Sequence, residues 1–273
     1  MAGLRSIPSL PQVHQSLLRK LEDDPTANAA VARLVADDPG LSLKVLHLAN
    51  SPLFGRGRAA TNPVDAVMSL GMDVIAAIVL SQSIFQQYES YESPEMDLQQ
   101  VWKHSWETAR LAQHICGDKG LPLKTGEEAF MGGLMHEIGR FLLVDNFPDQ
   151  FKAACDRARN RRLPLVASLR EEFRASPSQV GAFVLELWGL PGSVIDAIEA
   201  LDHPKINREN SFDMKAALYI ADYITSSKYP VDSFVVEDWS MDYLRSIDCT
   251  DRIPAWESFL LQATDKPTGS SHR

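Results

Sequence analysis

Met131-Gly132-Gly133-Leu134-Met135-His136-Glu137-Ile138-Gly139-Arg140 is the stretch that decides how this chain is read. Leu134, Glu137, Ile138 and Phe141 recur at helical spacing, so a helix here projects a carboxylate among apolar side chains. An ionised carboxylate in such a place requires a partner or a metal. Gly132, Gly133 and Gly139 each cost a helix interior about 1 kcal/mol relative to alanine, which predicts the close approach of another helix. His136 stands beside the acid, and neutral imidazole is both a metal ligand and a general base at physiological pH.

Outward from this stretch, nearly every apolar segment repeats at three- and four-residue spacing, and no run of alternating β-branched residues lies between turn signals. The chain therefore reads as all-α. Pro8 and Pro11 open a first helix carrying Val13, Leu17, Leu18 and Leu21. Pro25-Thr26 begins a second, and Asp38-Pro39 a third that stops near Asn50-Ser51-Pro52. Asn62-Pro63 caps a short helix to Leu70-Gly71, and an apolar helix follows from Val74 to Phe85. Further helices are expected over about 101–116, 127–144, 147–160, 164–173, 177–188, 191–201, 214–227, 241–247 and 255–261, while the β-branched stretch Tyr229 to Asp238 reads as a connection. The polar, acidic, proline-bearing segment Tyr88 to Asp97 is the expected internal boundary. It divides an amino-terminal helical subdomain, residues 1–92, from a helical core, residues 93–264. The tail 265–273 has a composition that predicts disorder.

The 273 residues include 27 basic and 36 acidic side chains, a formal net charge of -9, and the basic residues are scattered, which argues against a nucleic-acid backbone as partner. Arg157, Arg159, Arg161 and Arg162 form the one dense basic cluster, read as a solvated helix end with an anion site as the alternative. Cys116, Cys155 and Cys249 are far apart and show no Cys-x-x-Cys pattern, so they read as reduced, buried thiols. No segment has the length of apolar sequence that a signal peptide or spanning helix needs, so a soluble, cytoplasmic protein without membrane contact is expected.

Two further residues carry chemistry. His104 shares a helical face with Thr108 and Leu111, which aims its imidazole inward, and Asp222 lies between Leu218 and Thr225 on another predicted helix. Asn50-Ser51 reads as capping chemistry, and Trp188-Gly189-Leu190-Pro191 as a junction of anchoring aromatic, helix-ending glycine and proline-started helix. Trp102 and Trp106, at i and i+4, read as core, while Lys103 and Arg140 beside the motif read as surface cations.

The order His104, His136-Glu137, Asp222 resembles the HD superfamily of metal-dependent phosphohydrolases, which places a histidine on one helix, an adjacent His-Asp on the next and a later aspartate. The chain is more specifically similar to the HDOD domain, the HD-related output domain of bacterial signalling proteins. That resemblance rests on Leu10-Pro11, Asp38-Pro39-Gly40-Leu41, Leu46-His47-Leu48-Ala49-Asn50-Ser51, Ala66-Val67 to Leu70-Gly71 and Gly133 to Gly139. It continues through Val180-Gly181-Ala182, Leu187-Trp188-Gly189-Leu190-Pro191 and Ala197-Ile198 to His203-Pro204, spanning roughly residues 7 to 227. It implies a helical HDOD architecture with the amino-terminal subdomain packed on an HD-like core.

The departures bear on mechanism. Glu137 stands where HD enzymes carry aspartate; glutamate can ligate a metal, but its extra methylene displaces the carboxylate by over about an ångström unless the backbone shifts. Pro177 and Ser178 stand where the cyclic-dinucleotide phosphodiesterase branch has a further histidine, Asp202-His203 replaces His-His, and the Gly-Tyr-Pro signature is absent. A second metal thus lacks its ligands, and two-metal hydrolysis is not expected. The first expectation is a buried, cofactor-free cluster with no catalytic residue. The alternative is a single divalent ion (Mn, Fe, Zn or Ni) held by His104, His136, Glu137 and Asp222. The resemblance implies a non-catalytic regulatory module of bacterial signal transduction that acts on a protein partner. A metal-dependent phosphohydrolase or phosphodiesterase of a nucleotide or cyclic dinucleotide is the competing expectation, and the oligomeric state leaves no signal in the sequence.

Overall fold

A computed structural model describes residues 32–33, 35–36, 39–51, 59–87, 95–202, 211–231, 234–236, 238 and 240–262. The expected first helix, most of the second, His203-Pro204, the boundary segment 88–94 and the tail lie outside the described residues.

The all-α expectation holds, with no strand among the described residues. The helices are α1 (Pro39–Ala49), α2 (Pro63–Leu70), α3 (Met72–Gln87), α4 (Leu98–Asp118), α5 (Leu123–Met135), α6 (Ile138–Asn146), α7 (Pro148–Arg161), α8 (Leu165–Phe173), α9 (Pro177–Leu187), α10 (Gly192–Glu199), α11 (Met214–Lys228), α12 (Met241–Ser246) and α13 (Ile253–Gln262). A turn of 3-10 helix, Ala200–Asp202, extends α10. The starts follow from side chains that accept otherwise unpaired N–H groups. Asn62 accepts from Asp65 ahead of Pro63, Asp97 accepts from Gln99 and Gln100, and Asp213 accepts from Ala216. Ser176 and Gln179 form a reciprocal capping box at α9, with Pro177 as the first helical residue.

The 21-residue α4 is the central rod, packed between α5 and α11 and touched by α13. Helix α3 lies on α5, α6 on α9, and α7 on α8. Phe130, Phe141, Phe151 and Trp256 are fully buried at the centre, each contributing on the order of 2–3 kcal/mol of apolar burial. Aromatic contacts join the amino-terminal helices to this core. The Phe85 ring meets Trp102 edge-on at 4.4 Å and Phe141 at 4.9 Å, and the Lys44 ammonium lies 5.2 Å from the Trp102 ring. Trp102 and Trp106 are half-buried, not fully enclosed.

One expected helix is broken. The segment 127–144 is divided between α5 and α6 by a turn at His136-Glu137, with Glu137 at φ -86°, ψ 0°. Two glycine contacts account for the break. A Cβ on Gly133 would lie 2.4 Å from the Ala109 Cα on α4, and one on Gly139 would lie 1.8 Å from the Pro177 carbonyl oxygen on α9. α5 is thus pressed onto α4 and α6 onto α9, and a straight helix cannot satisfy both.

The minor readings resolve structurally. Arg157 pairs with Glu172, Arg159 with Glu95, and Arg161 with Glu171, so the basic cluster is an ion-paired helix end. Asn50 clips the chain by bonding both the N–H and the carbonyl of Ala60. Gly189 ends α9 at φ +76°, and the three cysteines are buried free thiols. Among the described residues no single helix is long and apolar enough to cross a membrane.

Candidate metal centre

Three elements bring the four candidate ligands together. α4 presents His104, the break between α5 and α6 presents His136 and Glu137, and α11 presents Asp222. The Nε2 atoms of His104 and His136 are 3.1 Å apart. Asp222 Oδ1 lies 3.1 Å from the first and 3.3 Å from the second. Glu137 Oε1 stands further back, 3.9 and 3.8 Å from the same nitrogens.

The surroundings orient these groups. His136 Nδ1–H donates to the Gly133 carbonyl at 2.7 Å, which leaves Nε2 as the nitrogen directed at the cluster. Gly133 is the same residue whose missing side chain admits α4. Burial opposes the charged form of His136, but the Asp222 carboxylate, the nearby Glu137 and the Gly133 carbonyl hold its pKa up at about 9. Burial also opposes ionisation of Asp222, yet the two imidazoles hold its carboxyl well below the usual carboxylate range. Arg140 Nη1 lies 3.3 Å from Glu137 Oε1, so the guanidinium read as a surface cation is in fact buried against the motif's acid. The i,i+3 spacing of Glu137 and Arg140 was the signal available for that contact.

The donor set fits a single ion. Ligand atoms of His104, His136 and Glu137 all lie within 4.8 Å of one another. Separations of 3.1–3.9 Å are those expected of nitrogen and oxygen ligands that share an ion at about 2.0–2.2 Å. Two imidazoles with two carboxylates suit Mn, Fe, Zn or Ni. No second group of three such ligands occurs among the described residues. One nitrogen lacks support: His104 Nδ1 is buried without a hydrogen-bond partner among the described residues.

His136, Glu137 and Asp222 form part of the wall of a cavity of about 420 Å³. Leu165 and Leu169 of α8 and Val231 and Phe234 of the α11–α12 connection supply apolar surface. Tyr219, Tyr223, Ser178 and Arg140 are also among the lining residues, the Tyr219 hydroxyl accepting from Ser240 N–H at 3.0 Å. Sequence reasoning did not bring these residues into one cavity, because they come from five separate segments that only the fold assembles.

The comparisons with known proteins agree with this architecture. A family model described as "HDOD domain" matches residues 7–204. An uncharacterised protein of Treponema pallidum is 22% identical over 199 residues, covering 70% of the present chain and 37% of that protein, so the chain spans little more than a third of this curated relative's length. A crystal structure of an HDOD domain protein with unknown function from Geobacter sulfurreducens superposes with a TM-score of 0.69 at 22% identity, covering 96% of this chain and 86% of that one. A protein from Shewanella amazonensis described as a candidate phosphohydrolase gives 0.68 at 22% identity, covering 94% and 91%. A protein from Marinobacter aquaeolei described as a candidate signal transduction protein gives 0.68 at 19% identity, covering 94% and 57%.

Proposed function

The chain belongs to the HDOD domain family, and from that membership and the geometry of its site we propose that it is a non-catalytic regulatory module of signal transduction, acting on a protein partner and retaining a centre for one divalent ion. The observation that carries the reading is that carboxylate oxygens of Asp222 and Glu137 lie 3.1–3.9 Å from the two facing imidazole nitrogens, while the wall of the adjoining cavity holds Pro177, Ser178 and Asp202. Two-metal phosphodiester hydrolysis needs ions on both the attacking and the leaving oxygen, and these side chains offer one place. Arg140, the cation in the cavity wall, is held against Glu137, where it stabilises the protein's own carboxylate instead of a developing charge.

In this role the residues have separable tasks. His136, with its tautomer set by Gly133, and His104 supply nitrogen ligands, Asp222 and Glu137 supply charge, and Arg140 fixes the Glu137 carboxylate. A bound ion would supply Lewis acidity and a cross-link between α4, the α5–α6 break and α11, the latter being what a regulatory module can use to set the relative position of its helices.

A single-metal phosphohydrolase is the second reading, favoured by the cavity that opens onto the cluster. Turnover assays with p-nitrophenyl phosphate, bis(p-nitrophenyl) phosphate and a cyclic dinucleotide, on protein loaded with Mn or Zn, separate the two. The regulatory reading predicts no rate above the Glu137→Ala background. Metal-dependent turnover that disappears in Glu137→Ala would overturn it.

A further inference from the structure

Helix α13 lies beyond residues 7–204, which the family model matches, and packs on α4 with Trp256 and Leu260 fully buried. The rest of its hold on α4 is aromatic and polar. The half-buried His114 of α4 stacks on the Phe259 ring, with centroids 3.8 Å apart and planes 4° apart. One turn back along α4, the Arg110 guanidinium lies 5.8 Å from the same ring and pairs with Glu107 at 2.9 Å. One turn on, Asp118 accepts from the Trp256 indole N–H at 2.9 Å and from Arg252 Nε at 3.0 Å. An imidazole, which changes charge between about pH 5 and 8, thus lies flat on an aromatic ring with a guanidinium on either side of it along α4.

We propose that the His114–Phe259 stack is a proton-operated clasp, in which neutral His114 holds α13 on α4 and protonation of His114 favours its release, baring the apolar face around Trp256 and Leu260. Burial disfavours the imidazolium, the Asp118 carboxylate favours it and the Arg252 guanidinium opposes it, and the balance lowers the His114 pKa from its ordinary value. A cation gains from an aromatic face, but Arg110 already approaches this ring, and Asp118 is engaged by Arg252 and the indole. α13 itself carries one charged side chain, the half-buried Glu257. The charges on the other helices packed against α4 are engaged elsewhere. On α5, Lys124 pairs with Asp73, Glu127 lies beside Gly71 and Glu128 accepts from Ser193. At the near end of α11, Asp213 caps Ala216 and Lys215 pairs with Asp196, while Asp222 and Lys228 belong to the far end, where Lys103 meets Tyr229. Lys119, just past Asp118, lies over the Phe212 ring at 4.9 Å. Release returns the imidazole to water and its ordinary pKa of about 6.5, so opening takes up a proton. The closed form is therefore favoured most above about pH 6.5 and loses ground as pH falls below it, opposite in sign to the dependence expected of His136. The clasp requires neither the metal nor the partner of the regulatory reading.

Hydrogen exchange of the full chain, followed by mass spectrometry between pH 7.5 and 5.5, tests the clasp. Exchange in α13 is corrected for the intrinsic pH dependence of amide exchange and referred to α7, which carries no histidine. The opening of α13 relative to α7 should rise about threefold or more over this range in the wild type. His114→Phe keeps a ring to stack on Phe259 but takes up no proton, and its α13 should open to the same extent at both pH values. Glu107, whose carboxyl pKa burial raises, is still present in that variant, so a pH dependence that survives there belongs to another group and overturns the proposal. Equal opening of wild-type α13 at both ends of the range would overturn it as well. Proton magnetic resonance of the wild type decides the matter even if His114→Phe does not fold. The imidazole signal identified by its contacts with the Phe259 ring should lie upfield, titrate with a midpoint below 6.5, and lose its upfield shift on protonation. A midpoint at or above 6.5, or an upfield shift that persists in the protonated form, would refute the clasp.

Discussion

Replacing Gly139 with alanine tests the packing that creates the site. The added Cβ would meet the Pro177 carbonyl oxygen at 1.8 Å, the Pro177 carbonyl carbon at 2.8 Å and the Gly181 nitrogen at 2.7 Å. All three are backbone atoms, so no side-chain rotation relieves the contact and α6 must move away from α9 by more than an ångström. Overpacking of this kind costs on the order of 3 kcal/mol or more, equivalent to a fall in Tm of roughly 6–12 °C for a chain of this size. Gly126 is the internal control. A Cβ there would meet its nearest atoms at 3.6–3.9 Å, an ordinary contact, so Gly126→Ala should raise stability by about 0.5–1 kcal/mol through helix propensity. Thermal unfolding followed by far-UV circular dichroism reads both. Because α6 begins next to Glu137, Gly139→Ala should also weaken metal uptake. An unchanged Tm for Gly139→Ala, or equal shifts for the two variants, would refute the explanation of the broken helix.

Three further outcomes follow from named contacts. Asp118→Ala removes the acceptor of the fully buried Trp256 indole N–H, 2.9 Å away, and should cost about 2 kcal/mol in urea unfolding, whereas loss of the exposed Arg252 pair adds little. Ser176→Ala dissolves the capping box of α9 and should cost about 1 kcal/mol by the same measure. In chelator-treated protein, the raised pKa of His136, about 9, means that its contribution to stability is complete below about pH 6.5 and is lost as pH rises through 9. Urea midpoints should decline over that window and flatten in Asp222→Asn, and a wild-type midpoint constant from pH 6.5 to 10 would contradict the His136–Asp222 pairing.

The residue pattern disclosed the helices, because periodicity and caps are local: Asn62-Pro63 and Pro177 mark helix starts in the sequence and in the structure alike. It also disclosed His104, His136, Glu137 and Asp222, each inward on its own helical face or turn, which the fold then places within a few ångströms. The break at His136-Glu137 was not legible, since it arises from backbone contacts with Ala109 and Pro177, at 24 or more residues' separation. Arg140 looked like a surface residue because its burial depends on Glu137 turning toward it.

The most direct test of the central claim is the metal content of the full chain, loaded with Mn, Fe, Zn or Ni in turn, desalted, and measured by plasma mass spectrometry beside His136→Ala and Asp222→Ala. The account predicts one ion per chain for at least one of these metals and its loss in both variants. Two ions per chain, no ion with any of the four, or one ion retained in both variants would contradict it.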